Sequence, residues 1–195
     1  MSSNPGSGGD SRPSFIYRQT PNLLTLLRIA AAPAVFLIVL QGWSDPWLRL
    51  LALVVFVAAA ITDGIDGKLA RSRNSISNLG KLLDPIADKV LIGAALVALA
   101  LVAALDWWFV IAIIARELIV TGYRLWVLRR QVLAASGWGK LKTVLQIVAV
   151  SFVLAPLNFL GEWFGYITLA LLAAALVTTW ATAAHYFYLG WRERD

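Results

Sequence analysis

Apolar residues along this chain fall into six long runs broken by short polar stretches. The runs cover about residues 22–41, 47–66, 83–105, 107–128, 140–157 and 163–189. Roughly 20 mostly apolar residues, wound as an α-helix, cross the hydrocarbon core of a bilayer. The pattern predicts an all-α, polytopic membrane protein with six transmembrane helices. The connections are short, so the six helices form one bundle, and no internal repeat is visible. Residues 1–13 are rich in Ser, Gly and Pro and lack an apolar face, which reads as a disordered tail. Residues 14–195 form the membrane domain. Phe15, Ile16 and Tyr17 beside Arg18 fit either a segment lying flat on the membrane or an ordinary linker.

Composition supports the membrane reading. The 195 residues are 59% hydrophobic and 14% charged, where a soluble domain carries about 25% charged. Cys is absent, which removes disulfides and thiolate metal sites, and the single His185 leaves oxygen ligands as the plausible metal donors. His185 reads as hydrogen-bonded within the bundle. The net charge of +6 fits cytoplasmic membrane flanks rather than nucleic-acid binding. Lys68, Arg71, Arg73 and Lys81 follow the second run, and Arg129, Arg130, Lys140 and Lys142 follow the fourth. Arg12, Arg18, Arg192 and Arg194 occupy the tails. The other connections carry Asp45, Asp106 and Glu162, with Arg49 as the exception. Trp43, Trp47, Trp107, Trp108 and Trp163 cluster at those same ends, as an interfacial aromatic belt does. Both termini and the even-numbered connections are therefore expected in the cytoplasm, with no transit peptide, as in a bacterial cytoplasmic membrane.

Four of the eleven acidic residues lie close together at the cytoplasmic ends of the second and third runs. Asp63 and Asp66 are three apart and Asp84 and Asp88 four apart, so each pair shares a helix face. Pro85 is expected in the first turn of its helix, where no backbone bond is lost. Four carboxylates converging in a low dielectric repel strongly. Divalent cations relieve that repulsion, and an all-oxygen donor set suits Mg2+ or Mn2+, two ions for four carboxylates. Gly67, Ala70 and Gly80 leave room at the backbone, and Lys68 and Arg71 suit phosphate oxygens. Acids, glycines and arginine together read as a site for a pyrophosphate-linked substrate. A solvated turn with incidental charge suits the Asp–Gly pairs but not Asp84 and Asp88, which head an apolar helix. The spacing also lacks the alternate acids and closing Glu of an EF-hand.

The pattern D-x2-D-G-x2-A-R-x8-G-x3-D-x3-D, met here at every position from Asp63 to Asp88, resembles the signature of the CDP-alcohol phosphotransferase family. Pro21 to Arg28 resembles the opening of that family's first span. The stretches Asp84-Pro85-Ile86-Ala87-Asp88-Lys89, Ala115-Arg116-Glu117 and Gly139-Lys140-Leu141-Lys142-Thr143 resemble its phosphatidylglycerophosphate synthase branch. The resemblance covers about residues 20–190. It implies a six-helix membrane enzyme, usually a homodimer, with a cytoplasm-facing cavity, which exchanges the CMP of a CDP-linked lipid for an alcohol. By position, it implies that Asp63, Asp66, Asp84 and Asp88 hold two metal ions and that Asp88 is the catalytic base. Asp66, Gly67, Ala70, Arg71 and Gly80 would line the CDP portion.

That branch implies CDP-diacylglycerol and sn-glycerol-3-phosphate as substrates, with phosphatidylglycerophosphate and CMP as products. Arg116, Glu117 and Arg124 lie in an apolar run, where ionisable groups are functional or paired. Arg116 and Glu117 are adjacent and are not expected to face each other. Arg116, Arg124, Lys140 and Lys142 are the candidate acceptor-phosphate residues; ordinary flanking charge for the lysines and a structural pair for Arg116 are the plain alternatives. Asn22, Thr25 and Arg28 share a face that lines the cavity, or Asn22 and Thr25 cap the helix and Arg28 snorkels. Lys81 and Lys89 flank the acidic motif. Within the family, cardiolipin synthase and an inositol-phosphate transferase are alternatives. Outside it stand a prenyl-diphosphate transferase and a cation transporter with buried carboxylates, though a transporter's acids would sit near the midplane.

Overall fold

The computed structural model describes the backbone of residues 15–71, 78–127 and 137–192, and the side chains of residues 26–62, 89–123, 141–157 and 159–184. The described chain is all-helical. Six helices follow in order: α1 (Phe15–Gly42), α2 (Pro46–Arg71), α3 (Asn78–Leu101), α4 (Trp107–Val127), α5 (Gly137–Leu154) and α6 (Glu162–Arg192). A single 3-10 turn, Asn158–Leu160, precedes α6. Residues 1–13, expected as a tail, lie outside the described residues. Phe15 to Gln19 form the first turns of α1 itself.

Short polar residues fix the turns at one end of the bundle. Between α1 and α2, the Asp45 carboxylate accepts the Trp47 backbone N–H at 2.8 Å, as an N-cap does, with Pro46 at the first helical position. A Cβ on Gly42 would sit 2.4 Å from Leu48 Cβ, so only glycine permits this close approach. After α3, Ala103 takes a left-handed φ of 57°. The Ala104 N–H bonds to Leu99 O at 2.9 Å and the Ala103 N–H to Ala100 O at 3.1 Å. These bonds form a Schellman stop with alanine where glycine is usual. Asp106 then accepts the first backbone bond of α4, from Phe109 at 3.1 Å. The acids of these connections thus serve as helix starts, where negative charge meets the positive end of the helix dipole.

Alanines and branched residues build the core. Ala31, Ala32, Val35 and Val39 of α1 meet Ala52, Phe56, Ala59 and Ala60 of α2 and Leu91, Ala95, Leu96, Ala98 and Leu99 of α3. α1 lies against both α2 and α3 along most of its length, while α2 and α3 touch over a shorter stretch. α5 packs on α6 and α2, and α4 packs on α6. Small side chains let helix backbones approach closely, the usual means of packing helices in lipid.

The outer surface is strongly apolar. Trp163 is 79% exposed, and Tyr166, Leu169 and Val177 also face outward on α6. Within α6, Glu162–Ala184 is long and apolar enough to cross a membrane. Leu26–Gly42, Pro46–Thr62, Lys89–Leu101 and Leu141–Leu154 are shorter apolar helical stretches among the described residues. A row of large apolar side chains facing outward is costly in water and ordinary in lipid.

Arg49, the positive residue out of place in the charge pattern, is buried and has a structural task. Its Nη2 donates to Val153 O at 3.2 Å and to Ala155 O at 2.8 Å, satisfying carbonyls at the C-terminal end of α5. Its guanidinium lies 4.3 Å from the ring centroid of Trp43. One arginine therefore joins the start of α2, the end of α5 and the turn after α1. Phe152 and Phe164 stack at 5.6 Å and tie the end of α5 to the start of α6.

Candidate active site

The described part of the acidic motif is helical. α2 continues to Arg71 and α3 begins at Asn78. Gly67, Ala70 and Arg71 therefore lie on α2 and Gly80 on α3, where a loop was expected. Pro85 likewise falls well inside α3 rather than in its first turn. Proline at such a position removes the N–H that would bond the carbonyl four residues earlier. Asp63 and Asp66, three positions apart on α2, and Asp84 and Asp88, four apart on α3, keep the spacings that bring helical residues to one side. The side chains of Asp63, Asp66, Lys81, Asp84 and Asp88 lie outside the described residues, as do those of Asn22, Thr25, Arg124, Lys140 and His185. Four carboxylates as donors would suit Mg2+ or Mn2+.

Arg28 stands beside this motif. It is 2% exposed, and its Nε donates to Ala59 O at 3.4 Å. In an α-helix that carbonyl is the partner of the backbone N–H four residues on, which is that of Asp63. The guanidinium thus sits one helical turn from the first aspartate, on the inner side of α1 rather than snorkelling outward.

A polar seam crosses the bundle. Arg116 on α4 is 3% exposed. Its Nη1 donates to Glu117 Oε1 at 2.9 Å and its Nη2 to Thr182 Oγ1, on α6, at 2.6 Å. The same carboxylate oxygen of Glu117 accepts from Lys142 Nζ on α5. Thr121 donates to the Glu117 carbonyl at 2.6 Å and accepts from Lys89 Nζ on α3. One helical turn along α5, Gln146 Nε2 donates to Thr179 Oγ1 of α6 at 3.1 Å. Four helices are thereby joined through side-chain hydrogen bonds within an otherwise apolar interior.

Arg116 and Glu117, adjacent on α4 and not expected to face each other, do meet. Neighbouring Cβ positions on a helix do diverge, but both side chains are long. Glu117 leans toward Lys142 on α5, and the guanidinium reaches back to the same carboxylate. Of the four candidate acceptor residues, the structure brings together Arg116 and Lys142. Glu117, Thr121, Thr182 and Lys89 complete the seam and were not promoted from the sequence. The available signal was the set of polar residues in apolar runs, with Thr121 four positions after Glu117. Charge-assisted bonds of this kind carry about 1.5–3 kcal/mol each, and burial makes the loss of one partner costly.

Comparison with known proteins places these residues in context. Residues 18–181, which span α1 to most of α6, match the family described as CDP-alcohol phosphatidyltransferase. The chain is 42% identical over 167 residues to a protein of Mycobacterium tuberculosis named probable phosphatidylglycerophosphate synthase; the match covers 85% of this chain and 78% of that protein. It is 40% identical over 183 residues to the CDP-diacylglycerol–glycerol-3-phosphate 3-phosphatidyltransferase of Bacillus subtilis, covering 88% of this chain and 94% of the relative. A protein of the same name from Salmonella choleraesuis is 38% identical over 168 residues, with 83% and 89% covered.

Proposed function

The chain belongs to the CDP-alcohol phosphatidyltransferase family, and from that premise we propose that it transfers a phosphatidyl group from CDP-diacylglycerol to sn-glycerol-3-phosphate. The products are phosphatidylglycerophosphate and CMP. Relatives bearing that activity in their names align over more than four fifths of this chain. The observation that carries the choice of acceptor is the buried seam. Arg116 and Lys142 are two buried cations that share one carboxylate, Glu117. The surplus of positive charge suits a phosphate monoester, which carries about −1.5 to −2 at neutral pH.

In the proposed reaction, Asp88 takes the proton of the acceptor's 1-hydroxyl as its oxygen attacks the phosphorus bonded to diacylglycerol. The bond from that phosphorus to CMP breaks, and CMP leaves with the electron pair. Asp63, Asp66, Asp84 and Asp88 would hold two Mg2+ or Mn2+ ions. Such ions neutralise charge on a diphosphate and its leaving group. Asp66, Gly67, Ala70, Arg71 and Gly80 would line the CDP portion, with Arg71 toward phosphate oxygens. Asn22, Thr25, Arg28 and Lys81 would border the cavity, and Arg124 and Lys140 would extend the acceptor site. The reading includes six membrane spans, both termini and the acidic motif in the cytoplasm, residence in a bacterial cytoplasmic membrane, and a homodimer.

The test is an acceptor panel. Purified full-length protein in mixed micelles with CDP-diacylglycerol and Mg2+ should release CMP with glycerol-3-phosphate and not with phosphatidylglycerol or inositol phosphate. Excess EDTA should stop release, and Mg2+ or Mn2+ should restore it. Preference for phosphatidylglycerol would replace this reading with cardiolipin synthesis, and turnover surviving EDTA would remove the metal centre.

A further inference from the structure

Arg116 offers a donor that is unused among the described residues. The guanidinium is 3% exposed, and its two terminal nitrogens are engaged by Glu117 at 2.9 Å and Thr182 at 2.6 Å. Its Nε is buried and has no hydrogen-bond partner among the described residues. A buried charged donor without a partner costs stability, so its persistence needs a reason. Arginine presents the Nε–H and a terminal N–H as one planar fork that matches two oxygens of a phosphate.

The arrangement around that fork is constrained from two sides. Glu117 holds one terminal nitrogen and also takes Lys142 from α5. Thr182 holds the other and is itself anchored, since its hydroxyl lies 2.9 Å from both the Thr178 and Thr179 carbonyls of α6. With both ends of the guanidinium fixed to different helices, rotation about the last side-chain bonds is suppressed, and the entropy of ordering is spent before ligand arrives. We propose that Glu117 and Thr182 are positioning residues that aim the buried Nε edge of Arg116 at the acceptor's phosphate. Neither touches the reacting atoms. This inference rests on the acceptor assignment above.

The test separates the two. Glu117→Gln removes the anion shared by two buried cations and can fail to fold, so Thr182→Val carries the experiment. Valine keeps the shape and removes the hydroxyl. With the full-length protein in mixed micelles, Thr182→Val should raise KM for glycerol-3-phosphate about tenfold, the equivalent of about 1.4 kcal/mol. KM for CDP-diacylglycerol and kcat at saturation should stay within about twofold, and Thr182→Ser should restore the parent KM. A glycerol-3-phosphate KM within twofold of the parent, or an equal rise in both KM values, overturns the positioning role. Failure of the parent protein to use glycerol-3-phosphate overturns instead the acceptor assignment.

Discussion

Turnover in the proposed reaction hangs on Asp88, since an alcohol is a poor nucleophile until its proton is taken. Asp88→Asn keeps the shape and removes the base. It should lower kcat at least about 100-fold, the usual contribution of a positioned general base, while the protein still folds. Radiolabelled CMP release measures it, and near-parent turnover would return Asp88 to a purely ligating or structural place. At this scale the sequence was legible at Arg116 and Lys142, which the structure brings together on one carboxylate. It was least legible where two long side chains bend toward a third. Arg116 and Glu117 meet because Lys142, 25 positions away in sequence, draws the carboxylate over. No spacing rule along one helix contains that information.

At the scale of elements, the apolar runs found the six described helices, and α4 starts where its run does. The runs stopped short at the ends carrying the acidic motif, because polar residues on a continuing helix look like a loop when only apolarity is read. α2 and α3 run on through the motif to Arg71 and from Asn78. Hydrogen bonding along the helix is indifferent to the polarity of its side chains. Arg49 shows the opposite failure. Counting charge treats it as an anomaly, whereas its bonds to the carbonyls of Val153 and Ala155 make it the cap of a distant helix. Arg49→Gln should destabilise the protein by about 1.5–3 kcal/mol, the worth of a charge-assisted bond. A lowered thermal midpoint with unchanged KM for both substrates is the expected result. A shifted KM would place Arg49 in the active site instead.

For the whole molecule, the proposed orientation makes a clean prediction because the chain has no cysteine of its own. A cysteine placed at exposed Ser44, between α1 and α2, should react with an impermeant maleimide on intact cells. A cysteine at Ser136, just before α5, should react only after permeabilisation. The reverse pattern would invert the topology and put the acidic motif on the wrong side for cytoplasmic substrates.

Arg49 also bears on how this protein is made. In the proposed orientation its guanidinium must be carried to the outer face during insertion. A membrane potential that is negative inside opposes that transfer by about 2.3 kcal/mol per 100 mV for a full crossing. Its carbonyl partners lie 104 and 106 residues later in the chain, and a growing chain lengthens by about 5–20 residues per second. For several seconds of synthesis, then, the translocated charge has Trp43 beside it but not its lasting partners. The end of α5 arrives as a late clasp that holds the early helices in place once the charge has crossed.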